Sequence, residues 1–231
     1  MDKLQKSQLS LGGFAGLTEH RLIKSPQAFG GEANQDGSWP GLGNFVYLAD
    51  AQFLPKGETR MHSHHEVDVI SVMVKGRIAH QGSLGHGKDL NTYDVQVQRA
   101  GGEGFSHNEV NPDDSANRMI QLWVLPEQTG QPAAYKVYRP QQGEMTRIYG
   151  GTSSHADFPA STIIDTARLS ENQSIKINAP FIAYLVEGEG KANNEKLIVD
   201  EMIRGTTLNF TAEKECQLII IQLATEQTTE H

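Results

Sequence analysis

The sequence predicts an all-β protein made of two tandem jelly-roll barrels or sandwiches, and three observations carry that prediction. Twenty-three glycines, with Pro, Asn and Asp, break the 231 residues into short segments. Those segments run 4–8 residues and are rich in Val, Ile, Tyr and Phe, with few helical periods between them. A weak internal repeat then relates the two halves. DVISVMVKGRIAHQ (68–81) resembles FIAYLVEGEGKANN (181–194), and MIQLWVLP (119–126) resembles LIIIQLAT (218–225).

The first half holds strands expected at 43–49, 67–74, 77–81, 93–98, 119–125 and 135–139, each apolar and bounded by turn formers. The segment 126–166, with EQTGQP, RPQQGE and YGGTSSH, reads as the connection. The second half repeats the pattern at 174–177, 181–186, 196–199, 206–210 and 217–223. MDKLQKSQLSL at the start offers at most a frayed helical turn or two. Domains are expected at 1–135, with a metal site, and at 136–231, without one; each is within the ordinary domain range.

Bulk properties narrow the function. A net charge of −8, with no run of Lys or Arg, argues against nucleic acid or an anionic membrane as partner. No apolar stretch approaches the ~20 residues that span a bilayer. The N-terminus lacks the cleavage pattern of a secretory signal, so a cytoplasmic protein is expected. The single cysteine, Cys216, excludes an intrachain disulfide, and its apolar setting points to a buried, inert thiol.

The chemistry is concentrated in RMHSHHEVDVISVMVKG (60–76) and GGEGFSHNEVNP (101–112). His62 and His64 are spaced i, i+2, so on a strand their rings share one face, about 6.6 Å apart at Cα. His107 and Glu109 repeat that spacing. Imidazoles this close repel once protonated, and a metal ion relieves the arrangement. Three imidazoles and a carboxylate from two strands can enclose a divalent first-row metal and leave positions open. The carboxylate shifts the balance toward Fe(II) or Mn and away from a closed zinc site, with Ni, Cu and Zn as further candidates.

The other histidines carry less. His65 falls on the opposite strand face from His62 and His64 and reads as a surface residue. His80 reads as a satisfied structural histidine and His86 as part of a solvated turn. His20, His155 and His231 are expected to be exposed.

These residues form a recognisable pattern. Gly57–Gly76 follows G-x4-H-x-H-x3-acid-x7-G, and His107–Asn111 follows H-x3-N; these are the two cupin motifs. The H-x-E form of the second motif, the stretch HQ-x-S-x-G at His80–Gly85 and QLWVLPE (121–127) together resemble the pirin family of bicupins. The resemblance is specific over about 57–135 and holds only in outline beyond. It implies that His62, His64, His107 and Glu109 bind a metal in the N-terminal cupin.

Four departures stand out. Ser63 takes the place of a usual proline, Asp68 that of the first motif's glutamate, and Gly82 that of an aspartate. The aromatic block that pirins carry near the N-terminus is not evident in 20–56.

The second module has no histidine in its equivalent strands, and Glu201 and Glu213 are not paired. It is expected to hold a cavity lined by apolar side chains such as Ile182, Tyr184 and Phe210. Some pirin-like proteins show quercetinase activity, so the resemblance implies a metal-dependent dioxygenase acting on a flavonol-like or catechol substrate, with Glu109 as ligand and proton relay. The alternatives are a regulatory or redox-sensing protein acting through a protein partner, and a metal-dependent isomerase or sugar-modifying cupin.

Overall fold

The computed structural model describes residues 1–33, 36–85, 87–151 and 156–224. His86, His155 and His231 lie outside them. The first half carries β1 (Asp2–Gln5), β2 (Gly12–Phe14), β3 (Leu17–Lys24), β4 (Phe45–Phe53), β5 (His62–His64) and β6 (Asp68–Lys75). It continues through β7 (Arg77–Gly82), β8 (Lys88–Asn91), β9 (Val95–Arg99), β10 (Phe105–Val110), β11 (Arg118–Val124) and β12 (Ala134–Tyr138). The second half carries β13 (Glu144–Gly151), β14 (Ala160–Leu169), β15 (Ser174–Ile177), β16 (Phe181–Glu187) and β17 (Glu189–Ala192). β18 (Glu195–Ile198), β19 (Glu201–Gly205), β20 (Leu208–Ala212) and β21 (Cys216–Leu223) complete it. Among the described residues the one α-helix is a single turn, Pro26–Phe29, capped by Ser25. Among the described residues no helix is long and apolar enough to cross a membrane.

The chain forms two compact units, Leu9–Arg139 and Met1–Gln8 with Pro140–His231. In the first, a seven-stranded sheet (β12-β9-β6-β11-β4-β3-β2) faces a four-stranded one (β5-β10-β7-β8). Leu17, Phe53, Met73 and Met119 from the larger sheet pack with Ile78 and Leu90 from the smaller. The second unit has a six-stranded sheet (β1-β19-β16-β21-β14-β13) and a four-stranded one (β15-β20-β17-β18). The repeat seen in the sequence is therefore a repeat of topology, since each strand from β3 to β11 has its counterpart ten strands later. β12 and β1 occupy equivalent edges, beside β9 and β19.

Several strands escape the sequence reading. The helical turn expected in the first residues is present only as a 3-10 turn at Lys6–Gln8, and it follows a strand: β1 pairs with β19, buries Leu4 and sets Asp2 against Arg204 at 2.9 Å. The supposed connection 126–166 contains β13 and the start of β14. The cause lies in Gly150 and Gly151, which have φ of 84° and 93° and sit where the β13–β14 register shifts. A Cβ on Gly150 would stand 1.8 Å from the Thr162 carbonyl oxygen, so these glycines make a bulge in a buried strand rather than a loop.

In the second unit Phe210 packs in the core with Phe181, Ala183 and Leu185. Ile182 and Tyr184 are buried too, yet strand alternation puts them on the other face of β16, so they do not share a lining with Phe210. Cys216 belongs to this core, and burial pushes its thiol up to about 11.

Candidate metal centre

β5 and β10 pair antiparallel, with His62 directly opposite His107 and His64 opposite Phe105. That register sets the two i, i+2 pairs two residues out of step, so that only His62 faces His107, and three imidazoles converge while Glu109 lies beyond the paired residues of β5. His107 Nε2 lies 2.9 Å from His62 Nε2 and 3.2 Å from His64 Nε2. Among the described residues these three are the group of His, Cys, Asp or Glu side chains close enough to hold one metal ion.

Hydrogen bonds decide where the ring protons sit. His62 Nδ1 is 2.8 Å from the Arg60 carbonyl, which can only accept, so Nδ1 carries the proton and Nε2 a lone pair. His107 is oriented by a chain of buried side chains. His80 Nδ1 donates to the Gly85 carbonyl at 3.3 Å, which leaves His80 Nε2 to accept from Gln98 Nε2, also at 3.3 Å. Gln98 Oε1 then accepts from His107 Nδ1 at 3.0 Å and from Gln96 Nε2 at 2.8 Å. His107 Nε2 is thereby an acceptor, aimed at the acceptor of His62.

Burial first, and then neighbouring histidines, hold His64 down at about 4 and His107 at about 2. Near neutral pH these two rings are neutral ligands. Two nitrogens bound at right angles to one ion with ~2.1 Å bonds would lie ~3.0 Å apart, close to what the rings show. The donor set fits a divalent metal ion.

Glu109 stands apart from this group. It is on the same face of β10 as His107 and lines the same cavity, but its Oε1 accepts from Ser71 Oγ at 2.8 Å and from Gln96 Nε2 at 3.5 Å. Among the described residues nothing donates to its Oε2. Burial raises its carboxyl to about 7, against the Ser71 hydrogen bond, which lowers it.

The cavity has a volume of about 370 Å³. Phe29, Tyr47 and Trp123 form a stacked wall in it, with Tyr47 and Trp123 centroids 4.5 Å apart and Phe29 5.5 Å from Tyr47. Trp123 also meets His64 edge-on at 5.8 Å. An aromatic wall is thus present although no aromatic block shows in residues 20–56; it is assembled from separated positions.

His65 is exposed, as its strand phase indicates, and His80 is buried and satisfied. His20 is half-buried rather than exposed, with Nδ1 3.1 Å from the Leu9 carbonyl. Asp68 pairs with Arg99 at 3.2 Å and takes no part in the cluster. Gly82 sits opposite His107 in the β7–β10 pair; a Cβ there would stand 2.5 Å from the Ser106 carbonyl oxygen. Asn111 of the second motif is a brace, donating to the Leu54 and Ser115 carbonyls at 3.0 and 2.8 Å. Gln98, Gln96 and Ser71 were missed in sequence. Their signal was faint, being polar residues set into otherwise apolar strands, VQVQ and VISVMV.

Among the described residues the second unit has no counterpart to the cluster. Where β10 presents Phe105, His107 and Glu109 inward, β20 presents Leu208, Phe210 and Ala212 to its core.

Residues 39–124 match the model of the Pirin family. A pirin-like protein of Caulobacter vibrioides is 24% identical over 227 residues, covering 90% of this chain and 96% of that protein. The quercetin 2,3-dioxygenase of Escherichia coli K12 is 28% identical over 79 residues, which is 34% of each chain, so the aligned stretch spans about a third of that relative. Among solved structures, a bacterial pirin from E. coli in complex with nickel(II) superposes with a TM-score of 0.80 at 14% identity, covering 96% of this chain and 98% of that one. With two cupin-type sandwiches and a histidine cluster in the first, the chain carries a Pirin family match over residues 39–124, the stretch that holds that cluster, and is similar along most of its length to pirin-like proteins.

Proposed function

We propose that the protein is a metal-dependent dioxygenase acting on a planar hydroxylated aromatic, of the flavonol or catechol type. The observation that carries this reading is the convergence of three imidazole rings at the wall of an aromatic-lined cavity. The name of the E. coli relative points to the same reaction.

His62, His64 and His107 would hold the ion through Nε2, and Glu109, on the same face of β10 as His107, would complete the set through Oε2. Three nitrogens with one oxygen suit Fe(II), while Ni, Mn, Cu and Zn can occupy such a site. The metal would supply Lewis acidity and open positions for dioxygen and a substrate oxygen. The remaining roles belong to the chain. Phe29 and Trp123 would hold the ring flat. Glu109, whose carboxyl is raised to about 7 by burial, would take the hydroxyl proton as the substrate binds. Ser71 and Gln96 keep that carboxyl fixed through Oε1.

The test is oxygen uptake by the iron-loaded protein across catechols and flavonols. Uptake abolished by chelator and by His62→Ala supports the reading. No uptake with Fe, Mn, Ni or Cu would leave the regulatory role, acting through a protein partner, as the better account.

A further inference from the structure

The cavity has a second polar region, built on the larger sheet. Leu17, Glu19 and Arg21 alternate along β3 and line it, as do Met119, Gln121 and Trp123 along β11. β4 runs between them, pairing Ala49 with both Arg21 and Gln121, and Ala51 with both Glu19 and Met119. A middle row of two methyl groups makes a trough between polar side chains that start two strand spacings, ~10 Å, apart.

Glu19 is a charged residue only 4% exposed. Its carboxylate accepts from Arg21 Nε at 2.6 Å and from the Tyr47 hydroxyl at 3.0 Å. Arg21 has a 41% exposed side chain; its Nε donates to Glu19 and its guanidinium also meets the Tyr47 hydroxyl, which together use only part of its five N–H donors. Gln121 donates through Nε2 to the Ile70 carbonyl at 3.2 Å, and among the described residues nothing donates to its Oε1. Burying an ion pair costs desolvation that an apolar pair would avoid, so packing alone does not account for it.

We infer that Glu19, Arg21 and Gln121 form a recognition wall for the hydroxyl and keto oxygens of a neutral polyhydroxylated aromatic, and that this wall disfavours aryl carboxylates. The inference rests on the aromatic-substrate reading above and adds which groups the substrate carries and which residues read them. The spare guanidinium donors match a keto or phenolic oxygen. Gln121 Oε1 and the remaining lone pairs of Glu19 match hydroxyl hydrogens, so a phenol is served as donor and acceptor together. A carboxylate on Arg21 would instead lie beside Glu19, whose charge already neutralises the guanidinium.

The test is equilibrium binding to the metal-loaded protein under argon, with quercetin, unsubstituted flavone and a flavone carboxylate as probes. Quercetin should bind at least tenfold more tightly than either of the others. Arg21→Met and Gln121→Leu should each weaken quercetin by about tenfold or more and leave flavone within about twofold, the size expected when a hydrogen-bonded group loses its partner. Glu19→Gln should narrow the gap to the carboxylate. Arg21→Lys keeps the charge without the fork and should still weaken quercetin selectively; melting curves and metal content report whether each variant is folded. Equal losses for quercetin and flavone, wild-type binding of the carboxylate as tight as that of quercetin, or no binding of any probe would overturn the inference. Selective binding without oxygen uptake would overturn only the dioxygenase reading.

Discussion

His62 Nε2 and His107 Nε2 face one another at 2.9 Å, and neither can donate to the other. Each ring has its Nδ1 proton on an oxygen, that of Arg60 for one and of Gln98 for the other. Two lone pairs held this close repel and together attract a cation. The backbone register of β5 and β10 imposes the approach, so the fold carries the repulsion until an ion relieves it.

This separates metal binding from stability. His62 is half-buried and makes one protein bond through Nδ1, so His62→Ala should leave the melting temperature of the metal-free protein almost unchanged, within about 0.5 kcal/mol. The same change should abolish the ~1 metal ion per chain found in wild type. Elemental analysis and melts in chelator test both halves, and a variant that keeps its full metal content would sink the ligand assignment.

Gln98 should matter to metal binding without touching the metal. Gln98→Leu keeps the volume but frees the His107 ring to place its proton on either nitrogen, and it removes the partner of His80. Affinity for the ion should fall by about 10–100-fold. Gln98→Glu restores the acceptor for His107 Nδ1 and should recover much of that loss. Competition titration against a metal indicator distinguishes the two; equal losses in both variants would mean that Gln98 acts only by packing.

How much of this could be read from the sequence depended on the range of each relationship. His62, His64, His107 and Glu109 were legible because each pair is local and i, i+2 spacing has one meaning on a strand. The partners of those residues were not, because Gln98, Ser71 and His80 reach the site from β9, β6 and β7. Which residues of three strands meet is set by register, and register does not show in a single segment. The aromatic wall failed for the same reason, since Phe29, Tyr47 and Trp123 are far apart in the chain. β13 was hidden by its own glycines, and β1 by Asp2 and Lys3, polar residues that pair with Arg204 and Glu195. The tandem repeat was visible because it is carried by whole apolar strands.

Glu109→Gln should separate metal content from turnover. The amide has one oxygen, which can face the ion while its NH2 donates to Ser71 Oγ, a hydroxyl that can also accept, so most of the metal should remain. It cannot take a proton, so oxygen uptake should fall by about 10²-fold or more. Metal analysis and oxygen-electrode rates on the same preparation decide the point; parallel losses would make Glu109 a ligand with no part in proton transfer.

The pH dependence of the metal-free protein follows from the same groups. His64 and His107 are held at about 4 and about 2, below the ~6.5 of an unfolded histidine, so they take up protons on unfolding. The stability they contribute is complete above pH ~6.5 and is lost as pH falls toward 4. Glu109 runs the other way. Its carboxyl is raised from 4.5 to about 7, so its contribution is complete below 4.5 and lost as pH rises through 7. Between about pH 4.5 and 6.5 the two histidines gain protons on unfolding while Glu109 releases one, a net uptake of about one proton. The chelator-treated protein should therefore melt at lower temperature at pH 5 than at pH 6.5. Glu109→Gln removes the opposing release and should make that fall about twice as steep. Melts at half-unit intervals in chelator test both statements. A wild-type melting temperature that stays level or rises on acidification would mean that the buried rings are not held neutral by the fold.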